Sequence, residues 1–390
     1  MESHHDVGCG KTKIGGWLKR RAMNNIWIRI RFPLLGAGMF CLIAGVYAGL
    51  LRAGIGIPVP AQNLAASHGA LMIGGFLGAV IGLERAVALG APWGYAAPAL
   101  AGFGTLLFLA GAEIGAAAVT LSSLLLVAMY GVVLRRQPAF FNAVMTLGAA
   151  SWLVGNIYWL RGYPLPDFVM WWGLFIVLTI AGERLELSRF LQHPPRVNAL
   201  FAVFAAIAAA GIFAAANGAA WGTRLTGAGV ILLSLWLLVY DVARRTVKQE
   251  GLTRFVAVCL LLGYLWLAMA GAMLLGGTEL APGYQYDALL HSLFLGFAFS
   301  MIFGHAPIIF PAVLNLGVPF RPIFYLHVAV LHLSLLMRVG GDHAMSETTR
   351  AAGAALNGAA LLIFLINTAL AVRAGFISRR TVPPPRREGA

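Results

Sequence analysis

A chain of 390 residues with 60% hydrophobic and only 11% charged side chains, at a mean hydropathy of +0.82, cannot cover itself with charge. Soluble domains carry about a quarter of their residues as charge, so this composition excludes one and makes lipid the solvent of much of the surface. The formal charge of +14 does not imply nucleic acid, because the basic residues are scattered between apolar runs, as membrane orientation requires.

The predicted fold is all-α: a polytopic membrane protein of about twelve transmembrane helices. Residues 1–33 form a basic N-terminal segment, 34–373 a single transmembrane domain, and 374–390 a Pro- and Arg-rich tail. The apolar stretch after the basic segment is long and lacks a clear small-x-small cleavage site, so it is expected to stay as the first helix. Apolar runs of roughly 17–25 residues, the length that crosses the hydrocarbon layer, then recur. They are read near 34–53, 66–89, 94–112, 115–134, 139–160, 168–188, 198–216, 226–241, 254–276, 285–313, 321–339 and 351–373. The tail from Thr381, TVPPPRREGA, is expected to be disordered.

Charge sets the expected orientation. With both termini in the cytoplasm of a cell with an inner membrane, 23 of the 28 basic residues fall on the cytoplasmic side. Only Arg52, Arg161, Arg224, Arg338 and Arg350 fall on the other. Cys9 lies in the basic segment, while Cys41 and Cys259 lie inside apolar runs. With no CxxC or CxxCH, a disulfide framework, a c-type haem attachment and a zinc ribbon are excluded.

Ionisable residues inside spans are expensive, and each is a functional candidate. His4 and His5 belong to the N-terminal arm, and His193 and His343 to loops. Five histidines fall within spans: His68 in the second, His291 and His305 in the tenth, His327 and His332 in the eleventh. His68 and His291 share a depth near the outer face. His305 follows His291 by 14 residues, close to four turns and about 21 Å deeper. An outer pair, His68 with His291, and an inner pair, His305 with His327, are therefore available, with His332 between them. Paired imidazoles on facing helices are how membrane bundles hold b-type haem, and neutral histidine also binds copper. The bland alternative is hydrogen bonding between helices.

Glutamate and arginine give a second motif. Span 2 ends GLERAVALG and span 6 ends GERLELSRF, so Glu84–Arg85 and Glu183–Arg184 recur four spans apart at the cytoplasmic border. They are read as interfacial ion pairs, their arginines snorkelling to headgroups, and as traces of four-helix units in which spans 2, 6 and 10 are equivalent. Glu186 joins Glu84 and Glu183 as the few expected buried carboxylates. Trp171 and Trp172 stand in span 6 where the outer histidines stand in spans 2 and 10. With Trp159, Tyr163, Tyr284 and Tyr286 they are expected to form an outer aromatic belt.

Twelve helices in three arcs of four, with histidines in the second and tenth, resemble the main subunit of the haem-copper oxidase superfamily. The segments SHGALMIGGFLGAVIGLERAVAL (67–89) and HSLFLGFAFSMIFGHAPIIFPAVL (291–314) resemble more closely the NnrS-like membrane proteins. That resemblance implies haem b and copper bound in the lipid bilayer, with a small gas or a redox partner, in nitric oxide, nitrosative-stress or respiratory redox physiology. It implies cofactor-binding roles for His68, His291, His305, His327 and His332, the last three as the metal set. Spans 6 and 7 contain no histidine, and span 10 has no His-x-His, so the oxygen-reducing centre of the oxidases is not built here. Two other classes remain: a secondary transporter using intramembrane His and Glu residues, and an assembly factor for respiratory complexes.

Overall fold

The computed structural model describes residues 9–191, 193–314 and 316–381, with side chains over 28–376 of these. His4, His5 and the tail beyond Thr381 lie outside the described residues. Twelve long helices account for nearly all the rest: α1 Cys9–Arg52, α2 Ala70–Leu89, α3 Ala96–Leu109, α4 Ile114–Arg136, α5 Phe140–Leu160 and α6 Leu165–Leu187. They continue with α7 Pro195–Ala216, α8 Ala220–Tyr240, α9 Gly251–Leu275, α10 Tyr284–Leu314, α11 Phe324–His343 and α12 Glu347–Thr381. There is no β-strand among the described residues. Eleven of the helices are long and apolar enough to cross a membrane. The protein is an all-α, multi-pass membrane protein.

The exception is α3, with 14 residues where about 19 were expected from 94–112. Gly90, at φ 68°, ends α2 in the left-handed conformation that glycine adopts freely, and Pro92 then opens a 3₁₀ turn over Pro92–Tyr95. At 2.0 Å per residue for the turn and 1.5 Å for the helix, the two together rise about 29 Å, the thickness of the hydrocarbon layer. Hydrogen bonds fix the ends. Arg31 donates to Tyr95 Oη at 3.1 Å and to Val313 O at 2.9 Å, bringing α1, the start of α3 and the end of α10 to one level. At the other level Asn63, just before α2, donates to Leu109 O at 2.8 Å. The twelve helices therefore run in alternating directions, with eleven reversals. The level of Arg31, Arg85, Arg135 and Arg184 is called the basic face below, and the opposite level the far face.

Burial divides the helices. Over their most apolar windows α2, α6 and α10 are 67%, 72% and 67% buried, while none of the other eight exceeds 56%. Three central helices, four apart in sequence, are thus surrounded by the rest. Small residues let the outer helices close around them: a Cβ on Gly211 in α7 would come within 2.3 Å of the Thr226 nitrogen in α8. Trp172 does not belong to an outer belt. It is 1% exposed and donates to Asn156 Oδ1 at 2.9 Å, because the far-face end of a central helix is itself enclosed.

Two central helices depart from regular geometry. α2 is π-helical over Ala70–Leu77 and α10 over Ser292–Phe299, whereas α6 is α-helical throughout. Such i→i+5 stretches are rare and gather at functional sites.

Candidate functional site: a facing histidine pair

His68 and His291 meet near the far face, each directly ahead of its helix's π segment. Their ring centroids lie 6.2 Å apart with the planes inclined by 20°. Both imidazoles are held through Nδ1. His68 Nδ1 lies 2.7 Å from Gly45 O, and His291 Nδ1 lies 2.8 Å from Asp287 O one turn back. A carbonyl accepts, so each Nδ1 carries the proton and each Nε2 keeps its lone pair. The α1 backbone must come close for this to work. A Cβ on Gly49 would fall 2.9 Å from His68 Cε1, so a larger residue there would displace the ring.

A second layer supports His291. Asp287 Oδ1 lies 3.3 Å from its Nδ1. Arg338 in α11 grips the same carboxylate with two bonds, Nε at 2.8 Å and Nη2 at 2.9 Å. Planar, two-point pairing of this kind fixes orientation as well as charge. Asp342, one turn further along α11, is 1% exposed, and Arg350 approaches it to 4.0 Å. These acids were absent from the sequence expectation, which counted only Glu84, Glu183 and Glu186 as buried carboxylates. The only trace in the sequence is the i, i+4 spacing of Asp287 and His291.

Both rings open onto one cavity of about 130 Å³. Its walls are Val46 and Gly49 of α1, Met72 and Leu77 of α2, Val169 of α6, Phe294 and Phe299 of α10, and Leu361 of α12; Arg52 and Arg338 are its cations. Apolar walls with a few convergent polar groups are the usual composition of a ligand pocket.

The other three histidines do not join this pair or one another. His305 bonds Met301 O through Nδ1 at 2.7 Å, and its Nε2 is buried without a hydrogen-bond partner. His327 takes a contact of 3.3 Å from Asn367 Nδ2 on Nδ1, and its ring sits among Phe255, Phe303, Phe324 and Phe364. His332 accepts from Trp266 Nε1 at 2.8 Å and faces Ser300 Oγ at 3.5 Å. Among the described residues no three His, Cys, Asp or Glu side chains gather in metal-binding geometry, and no ring contact joins His305 to His327. The expected set of His305, His327 and His332 is therefore not assembled. His327 packs among phenylalanine rings and His332 against Trp266, neighbours that histidine spacing does not reveal.

At the basic face the Glu-Arg motifs interlock. Arg85 Nη2 bridges Glu84 of its own helix and Glu183 of α6, the latter at 3.0 Å, with Tyr130 beneath the guanidinium. Arg184 does not snorkel as expected. It is 4% exposed and bonds Asp241 at 2.7 and 2.9 Å. Tyr264 Oη and the Ala243 nitrogen donate to the same carboxylate at 2.9 and 2.6 Å. Asp241, unmarked in the sequence reading, ties α6, α8 and α9 together. Glu186 is half-buried.

Chemically, the far-face site brings together two imidazoles, each with its Nδ1 held by a carbonyl and its Nε2 lone pair kept, while the basic-face site is a closed set of ion pairs. No curated protein matches the sequence. A family model described as "Domain of unknown function (DUF8744)" matches residues 31–373, the whole helical bundle, and the chain belongs to that family.

Proposed function

We propose that this membrane protein binds haem b between His68 and His291. The supporting observation is the ring separation. Two metal–nitrogen bonds of about 2 Å each, plus about 1.1 Å from each nitrogen to its ring centre, add to about 6.2 Å, and the centroids lie 6.2 Å apart. The Nε2 lone pairs, the Nδ1 hydrogen bonds to carbonyls and the apolar walls suit the same group. Arg52, in the cavity lining, supplies positive charge for its carboxylates. Bound there, with both axial positions filled, haem would supply one-electron chemistry, and the chain's own residues would hold it, orient it and exclude water. The resemblance to NnrS-like proteins suggests nitric oxide or a respiratory redox partner as what meets it. Copper is not part of the proposal, since its three histidines do not converge. The purified protein should show a Soret band with low-spin α and β bands on reduction. A folded protein without them would refute the reading and favour a transporter built on Asp287, Arg338 and the cavity.

Orientation belongs to the same proposal: the basic face is cytoplasmic, in a cell's inner membrane, with both termini inside. Reporter fusions at Arg387 and in the loop 276–281 should report opposite sides, and matching locations would contradict it.

Asp287 should act through His291. Asp287→Ala removes the carboxylate beside Nδ1 and strands Arg338, so haem affinity should fall about 10–100-fold, the usual effect of losing an outer-shell partner. Titration of the apoprotein with haem measures this, and unchanged affinity would show that the backbone carbonyl alone orients the ring.

A further inference from the structure

α2 and α10 share a spacing that the third central helix lacks. Phe76 follows His68 by eight residues, and Phe299 follows His291 by eight. Both pairs meet across the two helices, the imidazoles at 6.2 Å and the phenyl rings at 5.7 Å, each inclined by 20°. A regular α-helix could not present both. Eight residues turn about 800°, which leaves positions i and i+8 about 80° apart around the axis. Between each histidine and its phenylalanine, however, the helix is π-helical, over Ala70–Leu77 and Ser292–Phe299. A π stretch accommodates an extra residue. With one residue absorbed, the remaining seven turn about 700°, within about 20° of two full turns. α6 is the comparison inside the molecule: equally central, it carries neither a histidine nor a π segment.

We propose that each π segment is a one-residue phase-setting insertion that aims its histidine at the opposite one, with Phe76 and Phe299 as positioning residues that fix the two helix faces. The widened turns need small residues where they press on neighbours. A Cβ on Gly75 would lie 2.6 Å from Cys41 Sγ, and one on Gly296 would lie 2.4 Å from Trp266 Cγ. The inference rests on reading His68 and His291 as a facing ligand pair, so its test reads their facing without any cofactor.

The experiment uses the full chain in membranes with His68→Cys and His291→Cys, a short thiol-bridging reagent, and mass spectrometry of the bridged peptide. Three lengths are compared: unchanged, Met72 deleted, and one alanine inserted after Met72. Deletion leaves seven residues in a regular helix, which preserves the aim, so bridging should persist. Insertion adds a further turn of about 100°, so bridging should drop to the level of single-cysteine controls. A purely structural role would make the two changes similarly harmful. Loss of bridging in the membrane-inserted deletion, or its retention in the insertion, overturns the proposal. Should the Met72 deletion not accumulate, deletion and insertion at Leu295 decide the question in the same way. In chains with both histidines intact, a low-spin haem spectrum should follow the same order. The expected bridging order in a protein that shows no Soret band supports the phase-setting inference and ends only the haem reading.

Discussion

Replacing either His68 or His291 by alanine is expected to abolish the low-spin haem spectrum, while alanine at His327, His332, His193 or His343 leaves it intact. The first two are the only histidines whose rings face each other across a ligand-sized gap among the described residues. Removing one leaves a single axial nitrogen, and a five-coordinate or unbound haem absorbs differently from a bis-imidazole one. The controls are occupied elsewhere. His332 accepts the Trp266 indole proton, His193 Nε2 meets Tyr240 O at 3.0 Å, and His343 Nδ1 meets Val339 O at 2.9 Å. His327 is enclosed by four phenylalanine rings. His305→Ala is the informative intermediate, because its Nε2, like that of His327, is buried without a hydrogen-bond partner. A spectrum lost in His305→Ala and kept in His68→Ala would transfer the site to the inner half of the bundle.

Why the outer pair was legible while the inner one misled follows from what spacing encodes. Depth along a membrane helix is nearly linear in residue number, so His68 and His291 could be placed at one level from span ends alone. The same counting put Glu84–Arg85 and Glu183–Arg184 at one depth, and Arg85 meets Glu183 at 3.0 Å. Rotation about the helix axis is far less secure. An absorbed extra residue changes a face by about 100° and leaves hydropathy untouched, so ALMIGGFL and SLFLGFAF read as ordinary apolar helix. Partner identity is hidden altogether. Nothing in YQYDALLH announces Arg338 some fifty residues later, and nothing around His327 announces Phe364. Tryptophan was misread for a related reason: Trp172 looks like an interface residue by depth, but α6 is enclosed by other helices, so it faces Asn156 rather than headgroups. The third helix is short by residue number, and a 3₁₀ turn with a larger rise completes it.

Asp241→Ala should be the most destabilising single change at the basic face. The carboxylate, 1% exposed, receives Arg184 through two nitrogens, the Tyr264 hydroxyl and the Ala243 nitrogen. Deleting it strands a guanidinium that is itself only 5% exposed, and breaking a buried pair from one side typically costs about 3–5 kcal/mol. The double change Asp241→Ala with Arg184→Met should recover part of that loss, because no charge is then left buried without its counterion. Recovery will be incomplete: the Tyr264 hydroxyl and the Ala243 nitrogen still lack an acceptor, at about 1–3 kcal/mol for each buried group. Asp241→Asn should fall between wild type and alanine, since one amide oxygen survives to accept. Thermal aggregation in detergent at one fixed heating rate ranks the four proteins, a kinetic ordering suited to a membrane protein that unfolds irreversibly. Asp241→Ala matching wild type, or the double variant falling below it, would mean that Arg184 reaches water or lipid headgroups when released. In that case the guanidinium snorkels after all, and α6, α8 and α9 are held together by their apolar packing alone.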